Sequence, residues 1–166
     1  EGGNGAGKTS LLRLILGEEV RHEGTLRRSS GLVISYVPQH SDHLSGPLQE
    51  WAEKQGVDRT QFLTILRKLD FSRELFSRDM AEYSAGQQKK VLLAASLCQR
   101  AHLYVWDEPL NYIDLFSRMQ LEELIIRYQP TMLLVEHDRA FQARTATEIV
   151  FLEKEEKKHG GARRPL

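Results

Sequence analysis

Apolar and polar positions along the chain follow two rhythms. After Lys8, the residues Leu11, Leu12, Ile15 and Leu16 fall at helical spacing, and the run stops at Gly17, which predicts a short helix. The stretch GTLRRSSGLVISYVPQ, residues 24–39, predicts two short strands around a Ser-Ser-Gly turn, ending before Pro38. Residues 41–46 are loop-like, and Pro47 is placed to open a short helix that runs through Gln55 to Gly56. Asp58 and Gln61 have capping-box spacing, with Phe62, Ile65, Leu66 and Leu69 on one face behind them. The whole stretch from about 44 to 82 therefore reads as helical. Next come a helix over YSAGQQKKVLLAASLCQRA, with Val91, Ala94, Ala95 and Cys98 in register, and a buried-type strand in HLYVWDEP. DLFSRMQLEELIIRYQ reads as a helix, TMLLVEHD as a strand, and EIVFLE as a last strand.

This alternation predicts an α/β fold with a parallel sheet, interrupted by one helical insert. The core falls on residues 1–43 and 83–153, the helical subdomain on about 44–82, and the charged, Gly-containing residues 154–166 read as a disordered tail. Composition narrows the picture only a little. Of 166 residues, 40% are apolar, which suits a globular chain with a real core, and Lys plus Arg equals Asp plus Glu at 23 each. That balance is not the basic footprint of a dedicated nucleic-acid binder. Cys98 is the sole cysteine, so an internal disulfide or a cysteine-built metal site is excluded, in keeping with a cytoplasmic setting. Apolar runs such as LLRLIL and TMLLV are far below the roughly 20 residues a spanning helix needs, so no membrane insertion is expected. Lys89 and Lys90 are expected on an exposed helix face.

The chemistry is carried first by GGNGAGKTS, residues 2–10, which matches G-x-x-x-x-G-K-[ST]. Glycines let the backbone wrap closely, so that N–H groups at the start of the following helix face phosphates. Gly2, Asn4, Gly5, Ala6, Gly7, Lys8, Thr9 and Ser10 are the candidate nucleotide-binding residues. Lys8 is a point charge for the β- and γ-phosphates, and the Thr9 hydroxyl is placed for Mg²⁺. The second carrier is VWDEP. Asp107, at the end of a strand, suits the Mg²⁺ that bridges ATP phosphates, and Glu108 suits a base that orients or deprotonates the attacking water.

The remaining motifs carry a family resemblance. YSAGQQKK (83–90) resembles the signature motif of ABC-type ATPases, YVPQ their Q-loop, EPLNYID their D-loop and VEHDRAF their switch loop, in the family's order. The resemblance implies a P-loop NTPase fold of the ABC nucleotide-binding type. It implies that Gln39 lies near Mg²⁺ and the attacking water, and that His137 contacts the γ-phosphate. It further implies that Ser84, Ala85, Gly86 and Gln87 grip ATP held by a second ABC ATPase domain in a head-to-tail pair. Ser84 and Gln87 also have capping-box spacing, so Ser84 caps its own helix on the local reading. Tyr83 replaces the family's usual leucine and Ala85 its first glycine; a single added methyl is expected to leave binding intact.

DEPLNYID is similar to the corresponding stretch of the ABC-F branch, whose proteins are soluble, carry two ATPase domains and act on the ribosome, against rRNA and tRNA. The wording around it resembles that branch's antibiotic-resistance group. An ATPase subunit of a membrane transporter and a non-catalytic nucleotide-binding scaffold stay open as alternatives. The family also places a strand and a small antiparallel sheet before the phosphate loop. The chain is therefore expected to be a piece of a longer protein, weak in ATP binding alone, with the strand around Val105 short of a neighbour.

Overall fold

The computed structural model describes residues 7–41 and 44–152. Gly2, Asn4, Gly5, Ala6 and the expected tail at 154–166 lie outside the described residues. Three parallel strands, β1 (Ile34–Val37), β2 (Leu103–Asp107) and β3 (Met132–Val135), form a sheet in the order β1-β2-β3. Among the described residues six helices accompany it: α1 (Lys8–Leu16), α2 (Leu48–Lys54), α3 (Arg59–Lys68), α4 (Ala85–Cys98), α5 (Leu115–Tyr128) and α6 (Arg139–Thr145). Two 3₁₀ turns, Arg73–Ser77 and Met80–Glu82, complete the helical stretch between β1 and α4.

Local chemistry explains the element ends. Gly17, in the left-handed region at φ 92°, closes α1 by returning its N–H to the carbonyls of Arg13 and Leu14. Aspartates cap three helices, Asp58 for α3, Asp114 for α5 and Asp138 for α6, each accepting a backbone N–H from three residues on. Ser84 and Gln87 form a complete capping box at the start of α4.

α4 is the hub. It packs against α3 of the insert and against β1, and it buries Val91, Leu93, Ala94 and Ala95 together with Gln88, Lys89, Lys90 and Ser96. Trp106 of β2 is fully buried; its indole N–H donates to the Ser96 hydroxyl at 2.9 Å, and Ser96 also bonds the Ser35 hydroxyl at 2.7 Å. One buried polar chain thus ties α4 to both β1 and β2.

Four expectations fail. The strand around Val105 has neighbours on both sides, because β2 pairs β1 and β3 in parallel. The half-exposed strand is β3, and among the described residues no further strand pairs with it. Residues 25–28 form no strand: extended backbone needs a ladder partner, and among the described residues none lies there. Arg28 instead covers the end of α1, donating to Leu16 O at 2.8 Å. Residues 148–152 are likewise without strand structure, and Ile149, Val150 and Phe151 are exposed. Finally, Lys89 and Lys90 are buried, not solvated.

Candidate nucleotide site and comparison with known proteins

In a parallel sheet all carboxyl ends lie along one edge, the usual place for a ligand in an open α/β fold. The register sets Val37 beside Trp106 and Asp107 beside Val135. The residues that follow each strand therefore emerge side by side: Gln39 after β1, Glu108 after β2, Glu136 and His137 after β3. Adjacent strands are about 4.8 Å apart, so a central Glu108 is within side-chain reach of both outer positions.

Those contacts form. Glu108 Oε2 accepts from Gln39 Nε2 at 2.7 Å and from Asn111 Nδ2 at 2.6 Å. Glu108 Oε1 lies 3.5 Å from His137 Nε2, which is itself 3.5 Å from Lys8 Nζ. The Glu108 backbone donates to Val135 O at 2.8 Å, continuing the sheet, and then turns into the left-handed region at φ 48°. Such a conformation in a non-glycine residue costs on the order of 1–3 kcal/mol. It ends the strand abruptly and separates the Glu108 side chain from that of Asp107.

Asp107 is buried, and its Oδ2 has no hydrogen-bond partner among the described residues. Burial, then the neighbouring Glu108 charge, pushes its carboxyl above the usual range, against the opposing pull of Lys89, Lys8 and the Thr9 hydroxyl. An unpartnered buried carboxylate oxygen needs a cation or a donor. The Thr9 hydroxyl favours the charged form of Asp107, and Gln39 spends only its Nε2 on Glu108, leaving its carbonyl oxygen as an acceptor. Among the described residues no group of three or more His, Cys, Asp or Glu is arranged for a metal. This sparse set of hard oxygens fits Mg²⁺, which takes one or two carboxylates and completes its shell with water and phosphate oxygens.

Lys8 and Thr9 open α1 behind Gly7, which takes φ 88° and accepts from Leu11 N at 2.8 Å. Ser10 is exposed in the same turn. The signature residues sit elsewhere, at the α4 N-terminus, where Ser84 and Ala85 are exposed and Gly86 and Gln87 half-buried. The close backbone approach there belongs to Gly86, where an added methyl would overlap the Tyr112 carbonyl oxygen.

Three supporting residues escaped the sequence reading. Glu136 is buried; its Oε2 accepts from Leu110 N at 3.3 Å, and its Oε1 from the His137 and Asp138 N–H groups at 2.7 and 3.1 Å. It ties the stretch after Glu108 to the His137 loop. Asn111 holds Glu108 directly. Lys89 donates to Pro38 O at 2.6 Å and Gln39 O at 2.8 Å, and burial lowers its ammonium to about 8 while Asp107, Glu108 and Glu136 pull it back up. Only spatial proximity reveals these roles, because each partner lies far along the chain or across a turn.

The family model described as ABC transporter matches residues 1–111. This chain belongs to the ABC family. Domains of this family bind ATP with Mg²⁺ and in general hydrolyse it. The chain is 35% identical over 149 residues to the ribosome protection protein VmlR of Bacillus subtilis, covering 87% of this chain and 27% of that protein. It is also 35% identical over 159 residues to the zinc import ATP-binding protein ZnuC of Vibrio cholerae, covering 92% and 61%. It spans about a quarter of the length of VmlR and of the putative ATP-binding protein YdiF of Bacillus subtilis. Among solved structures, an archaeal ribosome recycling factor, in complex with a ribosomal stalk protein, matches with TM-score 0.70 and 28% identity over 86% of this chain and 29% of that one. An ATP binding subunit of an ABC transporter shares the fold, with TM-score 0.75 and 23% identity over 92% and 72%. Among the described residues no helix is long and apolar enough to cross a membrane.

Proposed function

We propose that this ABC domain binds and hydrolyses Mg·ATP within a cytoplasmic ABC-F protein that acts on the ribosome and protects it from antibiotics. The observation that carries the hydrolytic part is the Glu108 constellation. Gln39 and Asn111 occupy Oε2, so Oε1 is the oxygen left to take a proton from the attacking water. Lys8 neutralises the β- and γ-phosphates, Gly2, Asn4, Gly5, Ala6, Gly7 and Ser10 complete the phosphate-binding set, and His137, beside both Lys8 and Glu108, contacts the γ-phosphate. Asp107, Thr9 and Gln39 would hold Mg²⁺, which would supply positive charge beside the phosphates. Ser84, Ala85, Gly86 and Gln87 present a capped helix N-terminus to the ATP of a second ABC domain. Residues 44–82 form the helical subdomain between the two core segments.

The ribosomal part rests on the ABC-F-like wording of DEPLNYID together with the similarity to a ribosome protection protein and a ribosome recycling factor. The similarity to ZnuC keeps a transporter ATPase as the second reading. The test is a sucrose gradient of lysate from cells expressing the intact protein with Glu108→Gln, in the presence of ATP. Co-migration with ribosomes is the expected result; recovery with membranes would transfer the proposal to the transporter reading.

A further inference from the structure

Three consecutive polar residues of α4 are buried, and each reaches a different element. Gln88 donates to Met80 O at 3.1 Å in the insert, Lys90 pairs with Asp114 at 2.6 Å, and Lys89 reaches the loop after β1. Lys89 is the most costly of the three to bury, since its exposure is 0% and an ammonium taken out of water loses several kcal/mol of hydration. An apolar side chain would fill the same space without that penalty, so the charge at this position requires a reason.

We propose that Lys89 is a positioning residue for Gln39, locking the loop that carries it to the signature helix so that the Gln39 amide stays on Glu108.

The geometry is specific. Lys89 Nζ donates to two successive carbonyls, Pro38 O at 2.6 Å and Gln39 O at 2.8 Å. These carbonyls lie just past the end of β1 at Val37, where the sheet no longer supplies donors. The Gln39 side chain then donates to Glu108 at 2.7 Å. A second tie joins the same two elements, from the Ser41 hydroxyl to Ala85 O at 3.4 Å. Burial works against the charged ammonium and lowers its value overall, while the Asp107, Glu108 and Glu136 charges oppose that shift. Lys89 is on the helix that begins at the Ser84 cap. A displacement of that helix therefore reaches Gln39 through one side chain, without passing through the nucleotide. This inference rests on the proposed hydrolytic role of the Glu108 site.

The test is a double-mutant cycle on the intact protein, read as ATP affinity and as kcat. Lys89→Met retains the length and removes the donors. It is expected to leave ATP affinity within about threefold and to lower kcat about 10- to 100-fold, the scale of an ångström-level misplacement. In a Gln39→Ala background the same substitution is expected to cost less than about twofold, because its effect is routed through Gln39. Multiplicative losses in the double variant, an unchanged kcat, or a parallel loss of affinity and kcat would each overturn the inference. If Lys89→Met does not fold, Lys89→Gln, a shorter neutral donor, is read in the same cycle with an intermediate kcat expected. Glu108→Gln, run in parallel, separates the two levels. If it leaves turnover intact, the hydrolytic reading falls and takes the inference with it. If it abolishes turnover while Lys89→Met does not, the Lys89 inference alone fails.

Discussion

Removing the Asp114 carboxylate should destabilise the domain by a predictable amount with a predictable pH dependence. Asp114 caps α5, accepting from Ser117 N at 2.9 Å and from the Ser117 hydroxyl at 2.8 Å, and it pairs with Lys90 at 2.6 Å. Loss of a cap costs about 1 kcal/mol. Breaking a buried ion pair costs about 3–5 kcal/mol and an exposed one under about 1. Here the Lys90 side chain is 10% exposed and that of Asp114 46%, so solvent screening brings the pair term down to about 1–2 kcal/mol. Asp114→Ala is therefore expected to cost about 2–3 kcal/mol, a drop on the order of 4–12 °C in Tm for a domain of this size. Asp114→Asn keeps an acceptor for the cap and should lose only the pair term.

The charge contribution also has a sign. Burial works to raise the Asp114 carboxyl, but the bonds from Lys90 and from the Ser117 backbone and hydroxyl outweigh it and hold the group well below the usual carboxylate range. A depressed folded-state value gives stability that is present above the unfolded value of about 3.9 and is lost as pH falls toward the folded one. The gap between wild type and Asp114→Asn should be complete at pH 7 and begin to close below about pH 4. Thermal and urea melts at pH 7, 5 and 3.5 measure it. An Asn variant as stable as wild type at pH 7, or a gap that stays constant down to the lowest pH at which the fold stands, would refute the reasoning.

Other sites give sharper contrasts. Gly86→Ala drives a methyl into the Tyr112 carbonyl and should cost about 1–3 kcal/mol by overpacking, with a fall in ATPase rate; a melt and a steady-state assay decide it. Ser96→Ala leaves the buried Trp106 N–H without its acceptor and should cost about 1–3 kcal/mol, visible in urea melts and in the indole fluorescence. Lys8→Ala should weaken ATP binding itself, measured by titration with a fluorescent ATP analogue, whereas loss at Glu108 should not.

The helices were largely legible because their signals are local. Asp58, Ser84 and Asp114 each cap the helix that follows, and Gly17 stops α1 as its position implies. The strands were legible as types but not as partners. TLRR and EIVFLE have the right residues for strands, yet strand structure depends on a neighbouring ladder that periodicity cannot supply. The sheet order was illegible for the same reason, which is why the strand at Val105 turned out central. Lys89 and Lys90 were misread because lysine is seldom buried, and α4 is packed around most of its circumference, so an exposed face cannot be assumed. Gln39, Asp107, Glu108 and His137 were marked by motif, and the structure brings Gln39 and His137 to Glu108. Asn111 and Glu136 lie inside the D-loop and switch-loop motifs, which assign them no role, since their roles lie in contacts with Glu108 and with Leu110 and the His137 loop.

The central claim is that Glu108 is the base of an ATP-hydrolysing site, and the direct measurement is single-turnover hydrolysis by the intact protein with Glu108→Gln, alongside its ATP affinity. The account predicts retained affinity with hydrolysis slowed about 10²–10⁴-fold. Hydrolysis at the wild-type rate would contradict it.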